Sequence, residues 1–248
     1  MIKHTGRLTY AALPILLLFL VFIFITIIGA RWFLAERIAL DVEHILEFWD
    51  DNPAEKNAES WDSTTAQLEK ALALSPNSPN IHLLKGKSYS LGYSQPWLVN
   101  DGHIDLKTYY EIRNMTTSTM VSSFRKAAEL TPAFPYRWVD LANTKNNLAQ
   151  IDEELFLAFS NAYHFGHSIN TIQFLLARLS VENAYLFSSN PGIREIMVEN
   201  FYQSLDSVQG IQNRVISEIR GENAEEFVCD LLIVEKLSGR ALDMCGNP

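Results

Sequence analysis

LEKALALSPNSPNIHLLKGKSYSLG, residues 68–92, and FRKAAELTPAFPYRWVDLANTK, residues 124–145, decide the fold. Each joins two runs of apolar residues spaced three and four apart through a short turn closed by two prolines. Setting Pro76 on Pro132 pairs Leu68 with Phe124, Ala71 with Ala127 and Pro79 with Pro135. Beyond the turn it pairs His82 with Trp138 and Gly86 with Ala142. The spacing turns one face of a helix toward a core, and a proline after a helix end cannot continue it. Small residues at Ala71, Gly86, Ala127 and Ala142 let the helices of a pair approach closely. Leu68, Phe124 and Trp138 fill the wider gaps between pairs. Two helical hairpins of one design are expected.

Working outward, the rest of the chain after residue 30 also reads as helix. Ile38, Val42, Ile45, Leu46 and Trp49 form an amphipathic stripe. Breaks fall at Asn52-Pro53, Ser75-Pro76, Gln95-Pro96, Thr131-Pro132, Asn190-Pro191 and Gly221. Alternating strand patterns and Asn-Gly hairpin turns are lacking. Of the 248 residues, 48% are hydrophobic and 20% charged, too apolar for disorder and too polar for a multi-span membrane protein. The expected class is all-α.

Residues 11–30, AALPILLLFLVFIFITIIGA, carry no charge. As a helix the segment spans roughly 30 Å, the thickness of a bilayer's hydrocarbon core. Thr26 can bond back to its own helix, and Pro14 is expected in the first turn, where a missing N–H matters least. The rival is a cleaved secretory signal. The run exceeds the usual apolar core of about 7–15 residues, and a cut after Ala30 would put Ile28 where a small residue is wanted. An uncleaved anchor is the better fit. Lys3 and Arg7 precede it and Arg31 and Arg37 follow, so the positive-inside rule gives a slight bias to an inside N-terminus and an outside body.

The hairpins resemble the tetratricopeptide repeat, whose signature puts W-x2-L-G-x2-Y on one helix and A-x3-F…P on the next. Gly86 and Tyr89 fill G-x2-Y in the first copy; Trp138, Leu141 and Ala142 fill W-x2-L-G/A in the second. The copies lie 56 residues apart, against a repeat of about 34. The surplus falls near residues 93–115, with Thr108-x-x-Glu111 a candidate capping box restarting the helix. Repeats over 61–165 would follow an amphipathic helix and linker at 31–60. Downstream, Leu155, Phe159 and Ala162 suggest a further helix stopped by Gly166. Two more hairpins, one on each side of Asn190-Pro191-Gly192, and a capping region complete 166–248. The resemblance implies a partner-binding groove. Its positions in the first copy are Asn80, Leu83, Lys87 and Leu91, and in the second Tyr136, Val139, Asn143 and Asn147. Lys87, Asn143 and Asn147 resemble the clamps that hold peptide backbones or carboxylates in such repeats. Trp97, in the insertion with Tyr109 and Tyr110, either anchors a partner or stacks on a sugar, or tucks the loop onto the helices.

The net charge is −9. The first 40 residues hold four Lys or Arg against one Glu, leaving −12 for the rest, which would repel a phosphate backbone. Nucleic acid is excluded as a partner. Gly86-Lys87-Ser88 echoes a phosphate-binding loop, but Ile81 stands where its first glycine belongs, inside a helix pattern. His164-x2-His167 lacks a third ligand and reads as capping or surface histidines, so no metal is expected. Asp152, Glu153 and Glu154 sit side by side at a helix start, where carboxylates complement the macrodipole. No nucleophile elbow, zinc-protease or dinucleotide motif occurs, and no cofactor is expected. Asn114-Met115-Thr116 matches a glycosylation sequon, meaningful in a eukaryotic secretory setting. Cys229 and Cys245 are small idle residues in a reducing compartment. In an oxidising one they form a single bridge whose loop of about 16 residues stabilises by roughly 3 kcal/mol.

The layout of basic start, single span and divergent repeat body is similar to envelope accessory proteins of Gram-negative bacteria. With ARWFLAERIALDVEHILEFWD at 30–50, it resembles the VpsP-like group associated with exopolysaccharide biosynthesis. The resemblance implies a non-catalytic scaffold or accessory subunit in the inner membrane, its body periplasmic, binding other envelope or membrane proteins. Contact with polysaccharide itself is left open. A membrane-anchored chaperone for secreted or cytochrome-type clients is the second reading, and an enzyme on a lipid-linked sugar the third.

Overall fold

The structure is a computed structural model and describes residues 6–93, 106–232 and 244–245. Among these residues it is all-α, with no strand. The chain divides into two compact units, residues 1–105 and 106–248.

The first unit is built on α1 (Gly6–Asp51), 46 residues in one helix and about 69 Å long. The helix passes residues 30 and 31 without a break, and its two parts meet different surroundings. From Ile15 to Leu34 its large apolar side chains lie 38–67% exposed. Further on, Ala35, Ala39, Val42, Leu46 and Trp49 are buried at alternating spacings of four and three. They pack on α2 (Ala58–Leu74) and α3 (Pro79–Tyr93) in a core with Leu68, Ala71, Ile81 and Leu84. Ile38 and Ile45, expected in the stripe, flank it partly buried, and Ala35 and Ala39 extend it. Thr26 Oγ1 donates to Phe22 O at 2.9 Å. Pro14 is not in the first turn: the helix begins at Gly6, so Pro14 lies within it and the Tyr10 carbonyl forgoes its usual donor.

Asn57 starts α2 with a reciprocal cap. Its Oδ1 accepts from Ser60 N at 2.9 Å, and its own N–H donates to Ser60 Oγ. Trp61 Nε1 donates to Ser88 O at 2.9 Å, joining α2 to α3. A Cβ at Gly92 would stand 2.7 Å from the Trp61 ring, so only glycine lets α3 pass so close.

The second unit runs α4 (Leu106–Leu130), α5 (Pro135–Asn147), α6 (Glu153–Gly166), α7 (Asn170–Glu182), α8 (Ala184–Ser189), α9 (Pro191–Leu205), α10 (Gln209–Gly221) and α11 (Glu225–Leu231). Successive helices from α4 to α7 pack on each other; α7 also meets α5, α9 and α10. Phe187 lies between Phe156 and Phe159, edge-on to both, over a core with Leu155, Ile172, Met197 and Phe201. Gly166 ends α6 where a Cβ would meet Pro135 and Ile172 at 2.8 Å. After α5, Ala149 takes a positive φ of 53° while Gln150 N–H reaches Lys145 O and Ala149 N–H reaches Asn146 O.

Thr108 does not cap α4. The helix starts at Leu106, two residues earlier, and Glu111 faces Lys107 at 3.9 Å instead. Before Asn190 the expected hairpin shrinks to α7 and the six-residue α8; after it come α9, α10 and α11. The rest of the 93–115 insertion, residues 94–105 with Trp97, lies outside the described residues.

The paired turns at Pro76 and Pro132 share a local structure. His82 Nε2 bonds to Pro76 O at 2.9 Å, and Trp138 Nε1 donates to Pro132 O at 2.8 Å. These are aligned rings on aligned carbonyls, each closing its turn from the first residues of the next helix. Ala71 and Ala127 are fully buried. Leucine at either site would overpack and is expected to cost about 1–3 kcal/mol, measured as a drop in thermal midpoint. Unchanged melting of both variants would contradict the close approach.

Candidate functional site

The expected groove residues fall in both units. Lys87 is exposed on α3 in the first, with Asn80 and Leu91 half-buried and Leu83 buried. Tyr136, Asn143 and Asn147 lie on α5 in the second, seven and four residues apart and so on one face. Val139, assigned to that face, is only 1% exposed and belongs to the core. Tyr136 is half-buried, Asn143 half-buried and Asn147 exposed.

The α5 face continues onto α7 as a polar seam that the sequence did not reveal. Arg178 Nη2 donates to Asn143 Oδ1 at 3.3 Å, and Arg178 pairs with Glu182 at 3.4 Å. Asn146 Nδ2 donates to Glu182 at 2.6 Å, and Asn183 Nδ2 to Asn146 Oδ1 at 2.7 Å. At the start of α5, Phe134 is 49% exposed, lies 5.6 Å from the Tyr136 ring and has the Arg137 guanidinium 5.5 Å from its centroid. An exposed aromatic end joined to a strip of amides, a guanidinium and a carboxylate can contact both the side chains and the backbone of a peptide. Phe134 and Arg178 extend the expected set. Their signal in sequence is slight, because Phe134 lies in the turn and Arg178 is one of many helical cations.

Beneath α5, four charges bind three helices together. Lys145 Nζ, its side chain 4% exposed, donates to Asp152 at 2.8 Å and Glu154 at 2.7 Å. Glu154 also takes Arg125 from α4 through both Nε and Nη2. Asp152 caps α6 as its position suggested, accepting from the Glu154 and Leu155 N–H groups at 3.1 Å. The Arg125 hydrogen bond outweighs burial and, with Lys145, holds the Glu154 carboxyl down to about 2. At Asp152 burial opposes ionisation, but Lys145 and the two backbone donors bring its carboxyl below the ordinary value. Both carboxylates are ionised at neutral pH and saturated with donors, which suits holding helices rather than moving protons.

An open cleft of about 620 Å³ lies along α9, lined by Pro191, Arg194, Glu195, Glu199, Tyr202 and others. Glu195 and Glu199 are one turn apart on the same helix, side by side rather than across the cleft as glycoside chemistry arranges its carboxylates. Burial, reinforced by the hydrogen bond to Glu199, pushes the neighbouring Tyr163 hydroxyl up to about 12, so it stays protonated. His167 caps α6 through its own N–H on Tyr163 O at 2.8 Å, and His164 rests edge-on against Phe165. Among the described residues no group of three His, Cys, Asp or Glu could hold a metal ion. Cys229 and Cys245 are joined by a disulfide, with Cα atoms 5.4 Å apart. Compared with known proteins, the chain matches no family model and no curated protein sequence.

Proposed function

We propose that this protein is a single-pass membrane scaffold whose helical body binds protein partners outside the cytoplasm. The observation that carries the reading is the division of α1 into an apolar, exposed half and a half buried in the core of the first unit. Among the described residues α1 is the helix long and apolar enough to cross a membrane. A signal peptidase reads an extended site, and the helix is continuous through Gly29, Ala30 and Arg31. That continuity favours retention. The disulfide between Cys229 and Cys245 favours an oxidising compartment for the body. As partner-binding residues we assign Lys87 in the first unit and, separately, the α5 face of the second unit with Tyr136, Asn143, Asn147 and Phe134. Trp97, which lies outside the described residues, is kept as a partner-binding candidate on its sequence alone. From the resemblance of residues 30–50 and of the layout to VpsP-like proteins, the partner is a subunit of an exopolysaccharide assembly in the envelope.

Alkaline phosphatase fused to the C-terminus should be active in cells; activity only of a cytosolic reporter there would reverse the orientation. The triple variant Lys87→Ala, Asn143→Ala and Asn147→Ala should lose about 1 kcal/mol, chiefly the Arg178 hydrogen bond. It should also release the protein that co-purifies with the native chain from membranes. Undiminished recovery of that protein would move the binding surface elsewhere, and turnover of a lipid-linked sugar by the purified chain would replace the scaffold reading.

A further inference from the structure

Where the apolar part of α1 ends, the turn between α2 and α3 lies against it and encloses a cleft of about 350 Å³. Ile28, Arg31 and Trp32 line it from α1, and residues 74–77 from the turn. Each wall carries both polar and apolar groups. Arg31 Nη2 donates to Ala73 O at 3.2 Å, which holds the guanidinium at the C-terminal end of α2 and engages one of its five N–H donors. Ser75 and Asn77 add a hydroxyl and an amide, and no carboxylate lines the cleft. Glu36, further along α1, is engaged by Ser78 Oγ at 2.9 Å. Interleaved with these donors, Ile28 and Trp32 from α1 and Leu74 and Pro76 from the turn make the apolar part of the wall, which runs into the exposed surface of α1.

We propose that this cleft seats one membrane phospholipid, its phosphate on Arg31 and an acyl chain along Ile28 and the apolar helix. The inference rests on α1 crossing a bilayer. Arg31 and Trp32 are the first residues beyond the 11–30 segment, the depth at which arginine reaches headgroups and tryptophan settles at the interface. A guanidinium matches a phosphate through paired, charge-assisted hydrogen bonds. Free phosphate would use the donors and leave the apolar part of the wall unmatched, whereas a lipid uses both. The occupant would pin the α2–α3 turn at headgroup level.

The test is photolabelling of the full-length protein in nanodiscs containing a phospholipid with a diazirine near its headgroup, followed by peptide mapping. Label is expected on α1 and also on residues 74–77. The label on 74–77 should fall about fivefold or more in Arg31→Gln, the loss expected when a charge-assisted contact goes. It should persist in Arg37→Gln, which removes an exposed cation paired with Asp41 at 3.8 Å. If Arg31→Gln fails to fold by circular dichroism, labelling of 74–77 in the native chain decides alone. Label confined to α1, or unchanged in a folded Arg31→Gln, would overturn the lipid site and leave the anchor standing. Loss of the 74–77 label to excess inorganic phosphate would assign the cleft to the free anion and overturn the lipid. A chain that takes no label anywhere would overturn the anchor as well.

Discussion

Glu154→Gln is expected to lower stability by about 1–2 kcal/mol at neutral pH, because it removes the charge from hydrogen bonds that Arg125 and Lys145 make to a carboxylate only partly screened by solvent. The substitution keeps the shape of the side chain and removes its charge. Lys145, almost wholly buried, would then face only Asp152, whose side chain is half exposed. Arg125 would lose its paired carboxylate. The sign of the pH dependence follows from the direction of the shift. The Glu154 carboxyl drops from 4.5 to about 2 on folding, so its contribution is complete above about pH 4.5, fades as pH falls and is gone below about pH 2. Urea titrations followed by circular dichroism should show the native chain losing about 1–2 kcal/mol across that window from this group. Glu154→Gln should lack that step and keep the smaller slope due to Asp152. Equal stability of the two proteins at neutral pH would mean that the four charges hold nothing together.

Val42→Asp should cost more than about 4 kcal/mol, because it buries a carboxylate without a partner. Val42 is 0% exposed in the centre of the α1 stripe. With total stabilities of about 5–15 kcal/mol, a loss of that size removes most of the margin of a small unit. The expected result is rapid proteolysis of residues 58–93 while the chain stays in the membrane fraction. Leu40→Asp, at a 48% exposed position on the same helix, should alter stability by less than about 0.5 kcal/mol. If Val42→Asp resisted protease as the native chain does, α1 would not belong to the core of the first unit.

How far this structure was legible from sequence depended on the distance over which each feature is decided. The proline turns were legible because each is local. Pro76 and Pro132 stop one helix, Pro79 and Pro135 open the next, and His82 and Trp138 close the turn from six residues away. The apolar run of α1 was legible from composition alone. Ala35 and Ala39 escaped notice because alanine contributes little to a hydrophobic stripe, although close packing against α2 and α3 demands small residues there. Thr108 illustrates the weakness of a short motif: T-x-x-E fits a cap, but the helix had already begun at Leu106. The polar contacts lay furthest from view. Arg125 and Glu154 are 29 residues apart, and Asn143 and Arg178 are 35 apart. Such pairs form only after α4 to α7 have packed, so no spacing rule announces them. Of the proposed surface, the α5 positions came from the resemblance to the repeat frame, and the α7 edge became visible only through tertiary packing.

The measurement that bears most directly on α1 as an uncleaved anchor is the intact mass of the native chain recovered from carbonate-washed membranes of the cells that express it. A retained anchor predicts a species in the membrane pellet whose mass includes residues 1–30, still attached to the body. A soluble species beginning near Arg31 would contradict it, because the apolar half of α1 would then be a signal discarded before the body folds.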